Sequence, residues 1–260
     1  MCEDKRDFVL VTGATGEIGK AIAYDLASQD KDLILLSRKK TKLESLAKLL
    51  RQRFSICVRS IDLDYLHQNT IDRFAQFLMQ EQCTISGLVL MTPRPVVSDL
   101  LFPSPTDWQS LFQSTFIGPS ELTKSCIPHM PRDSKIVIMS GIASLQVMPN
   151  HPSAFGVVRS MWLAQAKALA HKLGPKGIHV NTVSPGGVMT DYMREIITNK
   201  ALKNGCSLDE QFEKSFSNVP LRKYAQPEEV ASVVQFLLSD QSSHLTGINI
   251  PCDGGFIQGY

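Results

Sequence analysis

Three glycines near the amino terminus are spaced so that they could bind the pyrophosphate of a dinucleotide. They lie in the run Thr12-Gly13-Ala14-Thr15-Gly16-Glu17-Ile18-Gly19, after an apolar segment and before a helical pattern at residues 20–28. Glycines allow a tight turn that brings backbone amides against a pyrophosphate, and the following helix adds its positive N-terminal dipole. The alternative is an ordinary strand-to-helix connection, but the alternating α/β pattern of the chain favours a cofactor site. We therefore expect cofactor contacts from Gly13, Thr15, Gly16, Ile18 and Gly19.

The residues after the second predicted strand could select between NADP(H) and NAD(H). That strand ends at Ser37-Arg38, where a site that prefers NAD(H) usually places an acidic residue for the ribose hydroxyls. The Arg38 guanidinium can instead pair with the 2′-phosphate of NADP(H), although Arg38 and Lys39 could also lie on a solvated face without a ligand. We therefore expect NADP(H) rather than NAD(H). After the third strand, Asp62-Leu63 could hold the adenine through the carboxylate and a backbone amide, or Asp62 could simply begin a turn.

The composition of the chain limits the classes of partner. The net charge is +2, from 27 basic and 25 acidic residues, and the longest basic block is Arg38-Lys39-Lys40, so we expect no nucleic-acid partner. The six cysteines contain no C-x-x-C pair, which argues against a zinc site and a disulfide framework. A charged start and the lack of an apolar run of about eighteen residues predict a cytoplasmic protein with no membrane partner. We expect a small-molecule substrate and no metal.

The elements that must position these residues alternate along the 260-residue chain. Short β-branched runs predict strands at residues 8–12, 33–37, 55–61, 87–91, 135–140, 179–183 and 247–250. Helical patterns begin near Ile18, Lys42, His67, Thr106, Ser153, Asp191 and Pro227. This order predicts a single α/β domain over residues 1–260, a doubly wound parallel sheet of the Rossmann type with about seven strands and helices on both faces. The stretch at about 189–220 is expected to form a helical lid.

Several motifs together resemble the short-chain dehydrogenase/reductase family. They are the glycine turn, which is similar to the family's T-G-x-x-x-G-x-G pattern, Asn181-Thr182-Val183-Ser184-Pro185-Gly186, Thr190, and the ending from Leu245-Thr246-Gly247 to Asp253-Gly254-Gly255. The match runs from about residue 8 to residue 255 and is most similar to the branch of 3-oxoacyl-carrier-protein reductases. The resemblance implies a homo-oligomer, a dimer or a tetramer, that binds NADP(H) or NAD(H). It also implies cofactor contacts from Arg159, Pro185, Gly186, Val188 and Thr190.

The chain departs from this family at all four catalytic positions. The family uses an Asn, a Ser, and the Tyr and Lys of Y-x-x-x-K, where the tyrosine is the general acid or base and the lysine lowers its pKa and binds the ribose. Alignment by resemblance places Thr115, Gly141, Phe155 and Arg159 at these positions. In addition, the family's N-N-A-G after the fourth strand becomes Leu90-Met91-Thr92-Pro93, continued by Arg94-Pro95. A phenyl ring has no proton to give. The scaffold motifs therefore indicate an oxidoreductase, whereas the residues at the catalytic positions lack the usual groups.

Three functions are compatible with this sequence. A general acid usually contributes about 10²- to 10⁴-fold to the rate, so ordinary ketone reduction should be weak. The chain could be an atypical NADP(H)-dependent oxidoreductase in which Arg159, water or a loop residue such as His151 replaces the tyrosine. It could instead be a non-catalytic dinucleotide-binding protein that acts as a sensor or a structural subunit. The third possibility, a scaffold without cofactor, is disfavoured by the glycine turn, Arg38 and Asp62.

Overall fold

Seven parallel strands form one sheet in the computed structural model, which describes residues 6–94, 101–148 and 152–259. The strands are β1 (Asp7–Val11), β2 (Asp32–Ser37), β3 (Val58–Asp62), β4 (Thr84–Met91), β5 (Lys135–Met139), β6 (His179–Pro185) and β7 (Asn249–Cys252). Their order across the sheet is β3-β2-β1-β4-β5-β6-β7, and all neighbouring pairs are parallel. The expected doubly wound α/β fold is therefore confirmed.

Helices cover both faces of the sheet. They are α1 (Glu17–Ala27), α2 (Lys40–Arg53), α3 (Gln68–Glu81), α4 (Pro105–Phe112), α5 (Gly118–Cys126), α6 (Ser153–Leu173), α7 (Asp191–Asn204), α8 (Leu208–Phe216) and α9 (Pro227–Leu238). Apolar side chains of α1, α2 and α9 form the core on one face, and those of α3, α5 and α6 form the core on the other. Successive strand residues point to opposite faces, so Ile136 and Val137 of β5 enter different cores. Burial on both faces explains why the strands are continuous apolar runs.

The expected strands all overlap observed ones, with shifts that have local causes. The third strand begins at Val58 rather than at residue 55, and the amide of Cys57 just before it donates to the Asp32 carboxylate at 2.6 Å. The seventh strand begins at Asn249 rather than at residue 247, because Gly247 has a φ of 70° that an extended strand cannot contain. These shifts leave the order of elements unchanged.

The stretch at residues 189–220, expected to be a helical lid, contains α7 and α8. Thr190 caps α7 by accepting a hydrogen bond from the amide of Met193, and Ser207 and Glu210 form a capping box at the start of α8. The function of this stretch as a lid stays a prediction. Within the described ranges, no helix has the length and apolar character needed to cross a membrane.

The segment between β4 and β5 contains an irregular turn of helix. Residues Gln113–Ile117 form a π-helical turn that joins α4 to α5, and such turns occur frequently at functional sites. Directly after it, Gly118 packs against the next layer, because a Cβ atom there would lie 2.6 Å from the carbonyl oxygen of Tyr65. A glycine is therefore required for α5 to approach the loop after β3.

Gly118→Ala should destabilise the protein by about 1–3 kcal/mol, the usual cost of forcing a methyl group into packed atoms. Gly174→Ala is a matched control, since Gly174 also has helical dihedral angles and also precedes a proline, but a Cβ atom there would have no neighbour within 4 Å. Urea unfolding of both variants measures the difference. Equal stabilities would show that the contact between Gly118 and Tyr65 is not tight.

Candidate functional site

The site residues gather at the carboxyl ends of the central strands. The strand order reverses between β1 and β4, and this reversal is the place where open α/β sheets bind their ligands. The glycine turn follows β1, Arg38 follows β2, and Ser140-Gly141 follows β5. The sheet therefore brings the predicted phosphate end and the predicted reacting end to one edge.

The glycine turn has the close backbone packing that a phosphate cradle needs. Gly13 has a φ of 60°, a conformation that favours glycine. A Cβ atom at Gly19 would lie 2.9 Å from the Cα atom of Ala14 and even nearer to the Gly13 carbonyl oxygen. The amide of Ala14 donates to the Leu36 carbonyl at 3.1 Å, which ties the turn to β2. These residues fit the pyrophosphate of a dinucleotide.

One residue of the turn departs from the family pattern that its sequence resembles. Glu17 occupies the position of the second glycine in T-G-x-x-x-G-x-G, and Gly16 precedes it. Both carboxylate oxygens of Glu17 accept from the amide of Asp191, at 2.9 and 3.0 Å. This contact joins the start of α1 to the start of α7 and gives the Glu17 carboxylate a partner on α7. The turn is therefore not an unchanged copy of the pattern, although Gly13 and Gly19 keep its tight packing.

The predicted ribose end lies around Ser37. Its hydroxyl lies 2.6 Å from the hydroxyl of Thr15 and accepts from the amide of Lys39 at 3.3 Å. Arg38 is exposed next to this pair and forms no ion pair with any described residue. Its guanidinium is therefore available to a ligand phosphate.

The two residues expected at the adenine differ in their surroundings. The Asp62 carboxylate is partly exposed and lies 3.4 Å from the guanidinium of Arg73. The amide of Leu63 donates to the Ser37 carbonyl at 3.2 Å, so it is already used within the protein. Of these two groups, the Asp62 carboxylate is therefore the one that an adenine base could contact.

The segment after β6 approaches the same edge from the other side. A Cβ atom at Gly186 would lie 2.9 Å from the Cα atom of Asp253, so the chain passes closely after Pro185. Val188 forms an isolated parallel bridge with Ala225. The Thr190 hydroxyl accepts from the amide of Met193 as the cap of α7, so its oxygen already has one partner. These contacts hold Pro185, Gly186, Val188 and Thr190 in one stretch beside the glycine turn.

Thr115 makes its polar contacts within the protein. It lies in the π-helical turn, is 2% exposed, and donates its hydroxyl hydrogen bond to the Leu111 carbonyl at 2.6 Å. Its own carbonyl accepts from the indole nitrogen of Trp162 at 2.7 Å. The hydroxyl and the carbonyl of Thr115 are therefore both satisfied inside the protein.

Two hydrogen bonds join Arg159 to the end of β5. The Arg159 guanidinium donates to the Ser140 carbonyl, and the Ser140 hydroxyl donates to the Arg159 carbonyl at 3.0 Å. Gly141 has a φ of 95°, and a Cβ atom there would lie 3.2 Å from the guanidinium. A serine at position 141 would therefore be strained and would crowd Arg159.

Arg159 is the most perturbed cation of this edge. Burial lowers the pKa of its guanidinium to about 10, and the positive charge of Arg94 contributes in the same direction. One helical turn earlier on the same helix, the ring of Phe155 is 9% exposed. At neutral pH Arg159 is therefore charged, and position 155 offers no phenol.

Other groups that could give a proton near this edge already have contacts or lie outside the described residues. The Ser144 hydroxyl donates to the Gly141 carbonyl at 2.7 Å and lies 3.4 Å from the Ser184 hydroxyl. Tyr192 packs its ring under the guanidinium of Arg94. His151 lies outside the described residues. Over the residues that are described, no group of three or more His, Cys, Asp or Glu side chains could hold a metal ion.

Sequence reasoning did not single out two of the residues that shape this edge. Arg94 stands in the sequence only as part of the segment Pro93-Arg94-Pro95, and Trp162 belongs to no motif. The deviation of Pro93-Arg94 from the N-N-A-G motif was a signal for the first. No sequence signal links Trp162 to the Thr115 carbonyl, because the two are 47 positions apart.

Comparisons with known proteins agree with this architecture. The family model described as enoyl-(acyl carrier protein) reductase matches residues 13–257. The chain is 29% identical over 255 residues to the uncharacterized oxidoreductase YmfI of Bacillus subtilis (strain 168), covering 95% of this chain and 97% of that protein.

Two solved structures share the fold at lower identity. L-sorbose reductase from Gluconobacter frateurii, complexed with NADPH and L-sorbose, has a TM-score of 0.90 at 20% identity over 98% of both chains. An NADPH-bound short chain oxidoreductase from Pseudomonas aeruginosa PAO1, described as containing an atypical catalytic center, has a TM-score of 0.86 at 23% identity, covering 98% of this chain and 100% of that one. Because the family model covers nearly the whole chain, the protein belongs to the short-chain dehydrogenase/reductase family of oxidoreductases.

Proposed function

We propose that this protein binds NADP(H) and acts as an atypical carbonyl and alcohol oxidoreductase in which Arg159 stands at the reacting centre in place of tyrosine and lysine. The observation that carries the proposal is the guanidinium of Arg159, which is held against the Ser140 carbonyl at the same sheet edge as the glycine turn. A positive charge in this position would stabilise negative charge that develops on a reacting oxygen beside it.

The preference for NADP(H) rests on the ribose end. Arg38 is exposed after β2 without an ion-pair partner among the described residues, and hydroxyls of Thr15 and Ser37 lie next to it. A guanidinium can bind a phosphate through two parallel hydrogen bonds. The absence of an acidic residue after Ser37 also removes the group that usually binds the ribose hydroxyls of NAD(H).

The chemistry divides between the cofactor and the chain. When bound, the cofactor supplies or accepts a hydride at the carbon of a carbonyl or an alcohol. Arg159 would stabilise the negative charge on the oxygen, an effect that elsewhere is worth about 10²- to 10³-fold for a single donor. The proton would come from water, because Phe155 has none. Without a positioned acid we expect rates lower by about 10²- to 10⁴-fold than with a tyrosine.

A second candidate function is a non-catalytic dinucleotide-binding protein that acts as a sensor or a structural subunit. It is favoured by one observation, that the hydroxyls of Thr115, Ser140 and Ser144 all donate to backbone carbonyls. These hydroxyls therefore hold the local backbone and are not directed to a substrate oxygen.

For either function we propose a cytoplasmic homo-oligomer, a dimer or a tetramer, with a small-molecule ligand. Ile117 before α5 and Val157 on α6 are each 46% exposed. Apolar side chains on neighbouring helices are suited to packing between subunits.

Arg38→Gln should weaken NADPH binding by about 10- to 100-fold, because a hydrogen bond to a charged group is worth about 1.5–3 kcal/mol. NADH binding should change by less than about threefold, since NADH has no 2′-phosphate. Lys48→Gln on the exposed face of α2 removes the same charge away from the ribose and serves as the control. Titration of nicotinamide fluorescence measures the affinity of the wild type and of both variants for NADPH and NADH. Equal losses for NADPH and NADH would contradict the proposed role of Arg38.

Arg159→Met should lower kcat/KM for NADPH-dependent ketone reduction by about 10²-fold or more, because it removes the charge at the developing oxyanion. The double variant Phe155→Tyr/Arg159→Lys restores a phenol and an ammonium group and should exceed the wild type by about 10²-fold. Gly141 stays unchanged in this design, since its φ of 95° does not suit serine. Arg53→Met, at an exposed site, is the control.

The same assay separates the two candidate functions. Turnover by the wild type that Arg159→Met removes supports the oxidoreductase. Wild-type protein that binds NADPH but reduces no ketone of the panel, together with turnover by the double variant, would exclude the oxidoreductase and support the non-catalytic function. NADPH affinity is measured for each variant so that loss of cofactor is not mistaken for loss of chemistry.

A further inference from the structure

One carboxylate joins the start of α1 to the start of α7. Glu17 is the first residue of α1, and Asp191 is the first residue of α7. Both carboxylate oxygens of Glu17 accept from the Asp191 amide, at 2.9 and 3.0 Å. Thr190, which is expected to contact the cofactor, directly precedes Asp191 and caps the same helix. The contact therefore connects the glycine turn with the beginning of α7.

This contact fixes the first turn of α7. The first four amides of a helix have no acceptor within the helix itself. In α7 the Thr190 hydroxyl accepts from the Met193 amide, and Glu17 accepts from the Asp191 amide. A negative charge at a helix N-terminus is also favoured by the helix dipole. Glu17 thus supplies an acceptor and a charge that hold α7 beside the glycine turn.

The charge of Glu17 is not neutralised by a cation of the described residues. None of the ion pairs in that part of the chain includes Glu17, although Lys20 follows it by one turn of α1. The glycine turn and the N-terminus of α1 are also the groups expected to hold the pyrophosphate of a dinucleotide. Two negative groups at one helix end repel each other. A pyrophosphate would therefore bind this turn against the charge of Glu17.

We propose that Glu17 is a positioning residue that fixes the start of α7 and at the same time weakens dinucleotide binding. The effect on the dinucleotide rests on the proposed cofactor, whereas the anchoring of α7 does not. The pattern that the turn resembles has a glycine at this position, and a glycine would have neither effect. Because NADPH and NADH share the pyrophosphate, Glu17 acts on both alike, unlike Arg38.

The effect on affinity is tested with Glu17→Gln, which keeps the size of the side chain and removes its charge. Titration of nicotinamide fluorescence should show NADPH and NADH binding about threefold or more tighter than in the wild type. The gain should shrink at high ionic strength, because salt screens exposed charges. Glu210→Gln is the matched control, since that carboxylate accepts from the Ser207 amide at 2.9 Å at the start of α8. Helix α8 contains none of the expected cofactor contacts.

The anchoring of α7 is tested by removing the donor with Asp191→Pro. Proline suits the first position of a helix, and Thr190 before it has a ψ of 163°, an extended conformation that proline favours. Hydrogen exchange of the Met193 and Arg194 amides, followed by NMR without ligand, reports the order of the first turn. Glu17→Gln should speed this exchange by about threefold or more. It should have no such effect in the Asp191→Pro background, where the hydrogen bond is already absent, whereas the gain in affinity should persist there.

Three results would overturn the proposal. They are dinucleotide binding that Glu17→Gln does not tighten in either background, an equal gain with Glu210→Gln, and an exchange effect of Glu17→Gln that persists in the Asp191→Pro background. Wild-type binding of NADPH that Glu17→Gln leaves unchanged would keep the proposed cofactor and contradict the role of Glu17. Failure of the wild type and of Glu17→Gln to bind either dinucleotide would contradict the proposed cofactor and the opposing charge together. A circular dichroism melt of each variant verifies that it is folded.

Discussion

The reciprocal hydrogen bonding between Arg159 and Ser140 is the constraint on which the proposed reacting end depends. It ties the first turns of α6 to the end of β5 through one guanidinium and one hydroxyl. It requires glycine at position 141, where a Cβ atom would crowd the guanidinium. It also uses the Ser140 hydroxyl, which cannot then serve a substrate. Two of the four replaced positions, Gly141 and Arg159, are therefore linked and not independent losses.

The two ends of the site tolerate change differently because they use different parts of the chain. A phosphate cradle is made mainly of backbone amides and a helix N-terminus, so it needs little beyond glycines at close contacts. This explains why Glu17 can replace a glycine of the pattern while Gly13 and Gly19 keep the turn. Acid and base chemistry needs particular side-chain atoms. Loss of one phenol at Phe155 changes the chemistry without changing the fold.

The sequence was informative wherever local pattern determines structure. Runs of apolar, β-branched residues predicted the strands. Pro227, with acidic residues after it, predicted the start of α9, which begins at this residue. The glycine turn and Arg38 were predictable for the same reason, because each comes directly after the end of a strand. Contacts between distant segments were not predictable. Arg94 and Tyr192 are 98 positions apart in sequence, Glu17 and Asp191 are 174 apart, and no local pattern encodes either pair.

The central claim is that Arg159, half-buried and without a carboxylate partner among the described residues, organises the proposed reacting end. The most direct test is a pH titration of the arginine side-chain carbon resonances by NMR, with exposed arginines such as Arg53 as internal references. Burial and the charge of Arg94 both penalise the cation, so the pKa of Arg159 is predicted near 10, well below that of the references. An Arg159 that stays fully charged up to pH 12, together with the exposed arginines, would contradict the account.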